Sequence, residues 1–354
     1  MTRLEQLMNG LEGICDCGII NDDVNRRYFT GMKSSDGTLV VFKDKAYLII
    51  DFRYIEKARK TVSDCEVILQ GRLYHQINEL IKKHDAKTAA VNIQCCSVEQ
   101  FGIMKSALNV QLSSDGAFSK LIRKIRMIKT QHEIDLMIRA QRIAEKGYNH
   151  ILDIIRPGMT EREVQLELDF FMLKNGAEDL SFDTIALSGK NTSLPHGVPS
   201  DKPVEKGEFV LLDFGAVVQG YHSDMTRTFC VGEPTDKMRF VYETVLDAQL
   251  AALDAVKAGV SGKELDKIAR DIIENSGHGS EFGHSLGHGV GMEIHESPYA
   301  SPNKDDILEH NSIVTIEPGI YIENEFGVRI EDFVVVKNSG CENMTMAEKK
   351  LICV

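Results

Sequence analysis

The chain has 354 residues, of which 43% are apolar, and its formal net charge at pH 7 is -12. This length and composition suit about two globular domains, and an acidic chain without a basic run is a poor partner for nucleic acid. No apolar stretch approaches the ~20 residues of a membrane span and the N-terminus lacks the apolar core of a secretory signal, so we expect a cytoplasmic protein with no membrane partner.

The first third of the chain alternates short apolar runs with helical segments. Residues 38–51, "TLVVFKDKAYLIID", are typical of a strand hairpin. "RLYHQINELIKKH" then predicts a helix and "TAAVN" a strand, which together indicate a small α/β domain. A basic stretch at residues 119–135 opens a long amphipathic helix. We therefore predict one domain at residues 1–122 and a second at 123–354.

The second domain contains an internal repeat. "PGMTEREV" at residues 157–164 recurs as "AGVSGKEL" at residues 258–265. Each copy begins with a capping-box signature and ends at a glycine: Thr160, Glu163 and Gly176 in the first, Ser261, Glu264 and Gly277 in the second. A long helix precedes each copy and a strand hairpin follows it. Two such halves facing each other would place a site at their pseudo-symmetry axis.

Two aspartates stand in the hairpin of the first half. "VLLDFGAVVQGYHSDMTRTF" predicts two strands joined by a tight turn, with Asp213 on one and Asp224 on the other. A turn centred on Val218–Gln219 makes them direct cross-strand partners, and a slip of one residue makes them diagonal neighbours, about 5 to 8 Å apart on one face. Two carboxylates at that distance either keep a proton or hold a cation, unless they are solvated on an exposed face.

The second half repeats this arrangement with glutamates. In "VTIEPGIYIENEFGVRIEDFVVV", Glu317 precedes a proline, which favours extended backbone. Glu331 shares a strand face with Arg329. Glu317 and Glu331 therefore mirror the two aspartates of the first half.

Histidines complete the chemical pattern. "FGHSLGHGVGMEIHESP" holds His284, His288 and His295 among glycines, without the spacing of a helical zinc-protease motif. Beside four carboxylates, these histidines favour a metal site over a satisfied core, while His196 in "LPHGVPS" is weaker evidence. Four carboxylates balance two divalent cations. Oxygen-rich ligation with one imidazole suits manganese, cobalt or iron(II), and such a dinuclear site is typical of hydrolysis.

The ligand order resembles that of a known family. The series Asp213, Asp224, His288, Glu317 and Glu331 is similar to the five-ligand signature of the pita-bread metallopeptidases. "LPHGVPSDK", "GHSLGHGVGMEIHE", "EPGIYI" and "GVRIEDFVVV" resemble its proline-specific branch of aminopeptidase P and prolidase. "NRRYFTGMKSSDGTLVVF" resembles the N-terminal creatinase-type domain. The implied fold is α+β, with a pseudo-symmetric pita-bread catalytic domain behind a smaller creatinase-like α/β domain.

The resemblance also implies residue roles. As metal ligands, Asp213 would hold one ion, Asp224 and Glu331 would bridge both, and His288 and Glu317 would hold the second. As a catalytic residue, Glu317 would also take a proton from the attacking water. His295 and His196 would hydrogen-bond the substrate carbonyl and the oxyanion. His284 would contact the proline side of the substrate, and Arg329 would support the ligands or the substrate carboxylate.

The implied activity is hydrolysis of the bond between an N-terminal residue and a following proline. The cofactor would be two divalent ions, manganese first, with cobalt, iron(II) or zinc as alternatives, and the protein would be a homodimer acting on proline-containing peptides. We favour an aminopeptidase P-like enzyme slightly over an Xaa-Pro dipeptidase. Remote alternatives are a metal-free creatinase-like hydrolase and a binding protein on the same fold. Both should have lost ligand carboxylates, and this chain keeps all of them.

Overall fold

The computed structural model describes residues 1–354. The chain forms two compact units, Met1–Arg126 and Met127–Val354. No helix in either unit is both long and apolar enough to cross a membrane. Helix and sheet alternate in the first unit, and long helices pack against separate antiparallel sheets in the second. The overall class is therefore α+β, as predicted.

The N-terminal unit is built around one mixed sheet. Its strands are β1 (Cys17–Ile20), β2 (Thr38–Phe42), β3 (Ala46–Ile50), β4 (Glu66–Leu69), β5 (Thr88–Val91) and β6 (Gln111–Ser113). Its helices are α1 (Arg3–Gly10), α2 (Asp23–Thr30), α3 (Ile55–Thr61), α4 (Leu73–Lys83), α5 (Val98–Ala107) and α6 (Ala117–Met127). The strand order is β4-β3-β2-β1-β5-β6.

The local predictions for this unit are confirmed. Strands β2 and β3 form the antiparallel hairpin expected at residues 38–51. The predicted helix and strand are α4 and β5. Helix α6 runs through the predicted domain boundary between residues 122 and 123, and the two units separate near its end.

The first half of the C-terminal unit begins with two helices, α7 (Gln131–Ile154) and α8 (Glu161–Lys174). Its strands are β7 (Asp179–Leu180), β8 (Ile185–Ser188), β9 (Glu208–Phe214), β10 (Ala216–Val218), β11 (Tyr221–His222) and β12 (Met225–Val231). Strand β9 pairs with both β8 and β12. Alternate residues of β9, Val210, Leu212 and Phe214, pack with α7 and α8 into one core, which leaves Asp213 on the opposite face.

The second half follows the same plan. Its helices are α9 (Asp236–Ala255) and α10 (Gly262–Asn275), and its strands are β13 (Gly287–Gly289), β14 (Glu296–Ala300), β15 (Ile313–Ile316), β16 (Gly319–Ile322), β17 (Phe326–Arg329), β18 (Asp332–Lys337) and β19 (Gly340–Asn343). Strand β18 pairs with β15 and β19. Its helices and strands enclose a second apolar core.

The repeat is visible in the caps as well as in the topology. Thr160 and Glu163 form a complete capping box at α8, and Ser261 and Glu264 form one at α10. Both glycine stops, Gly176 and Gly277, have the positive φ angles that glycine adopts without strain. The predicted order of helix, helix and sheet in each half is thus confirmed.

Candidate metal centre and active site

The register of the first hairpin places both aspartates on one face. The turn lies at Gln219–Gly220, where both residues have positive φ, and Val218 pairs with Tyr221. This is the slipped register, so the alternative of direct opposition is excluded. Asp213 faces Thr226 across the ladder, and Asp224 is its diagonal neighbour. The primed two-residue turn matches the twist of paired strands, which is the physical reason for the shift.

The second half brings its glutamates together more directly. The pairs Ile316↔Asp332 and Gly319↔Arg329 keep one continuous register, in which Glu317 falls opposite Glu331. The backbone N–H of Glu331 donates to the Thr226 carbonyl at 3.1 Å, and this bond joins the two halves beside the carboxylates.

His288 lies on β13, which packs close to β15 and places the imidazole in the cluster. A side chain on Gly287 would collide with the Thr315 carbonyl oxygen, so only glycine permits this approach. The Nδ1 atom of His288 lies 3.1 Å from the Gly289 carbonyl oxygen and must donate to it. Its Nε2 atom is therefore unprotonated in the neutral ring and is available as a ligand.

The potential ligand atoms converge. Nε2 of His288 lies 3.6 Å from Asp224 Oδ2 and 3.3 Å from Glu317 Oε1. Ligand atoms of Asp224, His288 and Glu331 all lie within 4.8 Å of one another. Asp213 joins the same cavity wall as Asp224, His288 and Glu317. The structure thus brings together all five residues that were predicted as ligands.

Burial and mutual repulsion dominate the electrostatics of the cluster. Desolvation, followed by the charges of neighbouring carboxylates, raises the pKa of Asp224 and of Glu331 well above their usual values. Desolvation is also the main reason that the pKa of Glu317 rises to about 8. The buried imidazole of His288 responds in the opposite sense, with its pKa lowered to about 3. Without a cation, these carboxyls would keep protons.

The residues present fit divalent cations. One oxygen of Asp213, Oδ1, is buried and has no hydrogen-bond partner, an arrangement that is costly unless another ligand completes it. Four carboxylates and one unprotonated imidazole nitrogen form an oxygen-rich donor set of the kind that manganese and similar divalent ions accept. The fifth predicted ligand, Glu331, is only 1% exposed and lies behind the cavity wall.

A hydrogen-bonded chain extends from the ligands along one side of the cavity. Arg329 forms an ion pair with Asp213 at 2.5 Å and donates to Tyr321 Oη at 2.7 Å. His284 donates from Nδ1 to the Ser285 carbonyl oxygen, so its Nε2 accepts the Tyr321 hydroxyl proton at 2.9 Å. Burial, aided by the charge of Arg329, lowers the pKa of His284 to about 4 and keeps the ring neutral.

The cavity beside the cluster has a volume of about 540 Å³. The predicted catalytic residues that line it are Glu317, His196, His284, His295 and Arg329. The His295 ring contacts the His288 ring edge-on, with centroids 4.3 Å apart. His196 and His295 are exposed to the cavity, whereas both ring nitrogens of His284 are occupied by the protein.

Sequence reasoning missed several residues of the site. Phe182, Asp183, Ile185 and Tyr299 line the cavity but belong to no recognisable motif, whereas Ile294 lies inside the quoted histidine-rich segment and was not singled out. Tyr321 had a usable signal, because it lies four residues after Glu317 in a strand and so shares its face. Two buried threonines that contact the glutamates, Thr226 and Thr315, had the same signal, because each lies two residues from a predicted ligand, Asp224 and Glu317 respectively.

Comparison with known proteins points to one family of metallopeptidases. Residues 135–338 match the model of metallopeptidase family M24, and residues 1–128 match the creatinase/prolidase N-terminal domain. An Xaa-Pro dipeptidase of Pyrococcus furiosus is 40% identical over 355 residues, which cover 99% of each chain. A solved Xaa-Pro dipeptidase from Bacillus anthracis superposes with a TM-score of 0.95 at 40% identity, and the match covers 99% of each chain.

An X-Pro aminopeptidase structure from Thermotoga maritima is also similar, with a TM-score of 0.89 at 37% identity over 96% of this chain and 98% of the other. The match to both domain models, together with relatives of 40% identity along the full chain, settles the family. The chain therefore belongs to the pita-bread metallopeptidases of family M24, in the prolidase and aminopeptidase P branch, and is a metallopeptidase.

Proposed function

We propose that this protein is an Xaa-Pro dipeptidase, which hydrolyses dipeptides with proline at the second position. The support is the similarity to proteins named Xaa-Pro dipeptidase from Pyrococcus furiosus, Lactobacillus delbrueckii and Bacillus anthracis. The sequence had slightly favoured the aminopeptidase P-like activity. The relatives favour the dipeptidase alternative instead, although the Thermotoga maritima structure carries the other name.

The cavity can accommodate a small proline-containing substrate. Its wall combines apolar side chains, Phe182, Ile185, Pro195 and Ile294, with the carboxylate and histidine cluster. Proline has no amide hydrogen, so its peptide bond must be recognised through shape and through the carbonyl oxygen. An apolar wall beside hydrogen-bond donors provides both.

We propose that Asp213, Asp224, His288, Glu317 and Glu331 hold two divalent cations, most readily Mn²⁺. When bound, such ions polarise a carbonyl and make water more acidic at neutral pH. The protein side chains would do the rest. His295 and His196 donate hydrogen bonds to the scissile carbonyl oxygen as negative charge develops there, an effect worth a few kcal/mol for each donor. Glu317 accepts a proton from the attacking water, and Arg329 fixes Asp213.

A dipeptidase must also recognise the free carboxylate of the terminal proline. Lys304 contacts a residue of the cavity wall: its Nζ lies 3.2 Å from the centre of the Tyr299 ring, and Tyr299 lines the cavity. Lys304 is exposed, so the ring contact leaves its ammonium group accessible to solvent. We propose that this pair attracts the substrate carboxylate.

The decisive experiment compares substrates of different length on protein loaded with Mn²⁺. We expect an Xaa-Pro dipeptide to be turned over with a much higher kcat/KM than an Xaa-Pro-Yaa tripeptide, and the bound metal to approach two ions per chain. Preferential cleavage of the tripeptide would replace the dipeptidase with the aminopeptidase. Absence of bound metal would overturn the metal assignment itself.

The homodimer that the sequence resemblance implies remains part of the proposal. Solution scattering at several protein concentrations tests it, since a monomeric mass would contradict it. The cytoplasmic location expected from the sequence stays a prediction.

A further inference from the structure

A threonine hydroxyl contacts each of the two glutamates in the cluster. Oγ1 of Thr226 lies 2.8 Å from Glu331 Oε2, and Oγ1 of Thr315 lies 3.1 Å from Glu317 Oε1. Both threonines are 0% exposed, so water does not compete for their hydroxyl groups. They come from different halves of the unit, Thr226 from β12 and Thr315 from β15.

The direction of both hydroxyl protons is fixed by a second neighbour. Nε of Arg329 donates to Thr226 Oγ1 at 3.0 Å, and the backbone N–H of His288 donates to Thr315 Oγ1 at 3.0 Å. Neither donor can accept a hydrogen bond. Each threonine oxygen therefore already accepts one hydrogen bond, and because an ionised ligand carboxylate can only accept, the O–H of each threonine donates to it.

Glutamates need such a contact more than aspartates do. A glutamate side chain has one more rotatable bond than an aspartate side chain, so holding its carboxylate in one orientation costs more conformational entropy. Of the two aspartates, Asp213 is oriented by the guanidinium of Arg329. The threonines supply the equivalent restraint for the glutamates.

We propose that Thr226 and Thr315 are positioning residues, each of which fixes one glutamate oxygen so that the remaining lone pairs face the metal ions. This inference rests on the proposed role of Glu317 and Glu331 as ligands. Partners that orient ligand carboxylates typically alter metal affinity by about 10- to 100-fold when they are removed. The same range is expected here.

The test measures metal affinity without reference to catalysis. Wild-type protein, Thr226→Val and Thr315→Val are equilibrated with buffered concentrations of free Mn²⁺, and bound Mn²⁺ is counted per chain. We expect each valine variant to need about 10- to 100-fold more free Mn²⁺ for half occupancy. The serine variants, Thr226→Ser and Thr315→Ser, keep the hydroxyl and should restore most of the affinity.

Thr228→Val is the matched control. Thr228 is the next residue on the same face of β12 and is also buried, but its hydroxyl donates to the Arg329 carbonyl oxygen and touches no ligand carboxylate. Its loss should leave the Mn²⁺ occupancy curve unchanged. Circular dichroism confirms folding of every variant, and Thr226→Ala replaces Thr226→Val if the valine protein does not fold.

Two results would overturn the inference while leaving the proposed metal centre intact. Folded valine variants that bind Mn²⁺ like wild type would show that the hydroxyl groups do not position the glutamates. Equal losses of affinity in Thr228→Val would assign the effect to general packing. If wild-type protein itself took up no Mn²⁺, the proposed metal centre would fail together with this inference, and that outcome is distinct from the other two.

Discussion

At the scale of single residues, Asp224 is a buried carboxylate whose desolvation is unfavourable unless a cation binds it. It is 4% exposed, lies beside His288 and Glu331, and forms no ion pair with any lysine or arginine. Asparagine has the same shape without the charge. We expect Asp224→Asn to lose nearly all bound Mn²⁺ and all activity, as measured by elemental analysis and peptide turnover.

The control for Asp224→Asn lies in the same cavity. Asp183 also lines it but is exposed and stands outside the ligand cluster. Asp183→Asn should keep wild-type metal content. Retention of metal by Asp224→Asn, or its loss from both variants, would contradict the assignment of Asp224 as a ligand.

Lys304 tests substrate recognition at the same scale. Lys304→Met removes the charge near Tyr299 but keeps a side chain of similar length. We expect KM for an Xaa-Pro dipeptide to rise about fivefold with little change in kcat, which corresponds to roughly 1 kcal/mol for a solvent-accessible ion pair. KM for the same dipeptide with an amidated C-terminus should not change.

Lys257 is the matched control for Lys304: both are exposed lysines outside the cavity lining, but only Lys304 contacts the ring of a lining residue. Lys257→Met should behave like wild type on both substrates. An equal rise of KM for the dipeptide and its amide would show that Lys304 does not recognise the carboxylate.

At the scale of elements, the loop that carries His196 depends on one glutamate at the start of α8. Glu161 is 1% exposed, and its carboxylate accepts hydrogen bonds from the backbone N–H groups of Ser188 and Ser200, at 2.7 Å and 3.0 Å, and from Asn191. It thereby joins both ends of the loop at residues 189–200. This link is a tertiary contact that the capping box of α8 did not reveal.

Glu161→Gln should loosen that loop. The glutamine amide would keep one acceptor oxygen but direct its NH2 group at the donors of one end of the loop, and hydrogen bonds to charged groups contribute about 1.5–3 kcal/mol each. We expect amide hydrogen exchange at residues 189–200 to become about tenfold faster or more. Glu167→Gln, on an exposed part of the same helix, is the control. Unchanged exchange in Glu161→Gln would rule out the anchoring role.

At the scale of the whole molecule, the buried cluster links stability to pH. Carboxyls whose pKa is raised on folding stabilise the metal-free protein at low pH, and this contribution is lost as pH rises through their folded values. The folded-state pKa of Glu317 is about 8, and the pKa values of Asp224 and Glu331 are also raised. The buried histidines have the opposite effect, because their pKa values are lowered on folding, to about 3 for His288 and about 4 for His284. They make the folded protein more stable as pH rises from these values through the ordinary pKa of 6.5.

The metal-free protein should therefore become less stable as pH rises toward 8, because a histidine with the ordinary pKa of 6.5 has lost most of its protons there while Glu317 is still titrating. The slope is at most about 1.4 kcal/mol per pH unit for each carboxyl. Urea unfolding of chelator-treated protein measures it. Saturating Mn²⁺ should abolish the slope, because the cations favour the ionised carboxylates. A slope that is the same with and without Mn²⁺ would contradict this link.

The sequence by itself determined the fold class, the internal repeat and the family. Capping boxes, glycine stops and strand alternation are local signals, and they depend on neighbouring residues along the chain. The order of aspartates, histidine and glutamates could also be predicted from the sequence, because pairs of buried carboxylates in strands are unfavourable unless they bind a cation. The preference for dipeptide or longer substrates could not be predicted from the sequence, since it depends on groups from distant segments that meet at the cavity.

Only the tertiary structure decided how those residues meet. It shifted the hairpin turn to Gln219–Gly220, which made the two aspartates diagonal neighbours rather than direct partners. It placed Thr226 and Arg329, about a hundred residues apart in the chain, within hydrogen-bonding distance. The reason is physical: the register follows from the twist of the paired strands and from which face is buried, and the contacts of Thr226 with Arg329 form only when the two halves pack together.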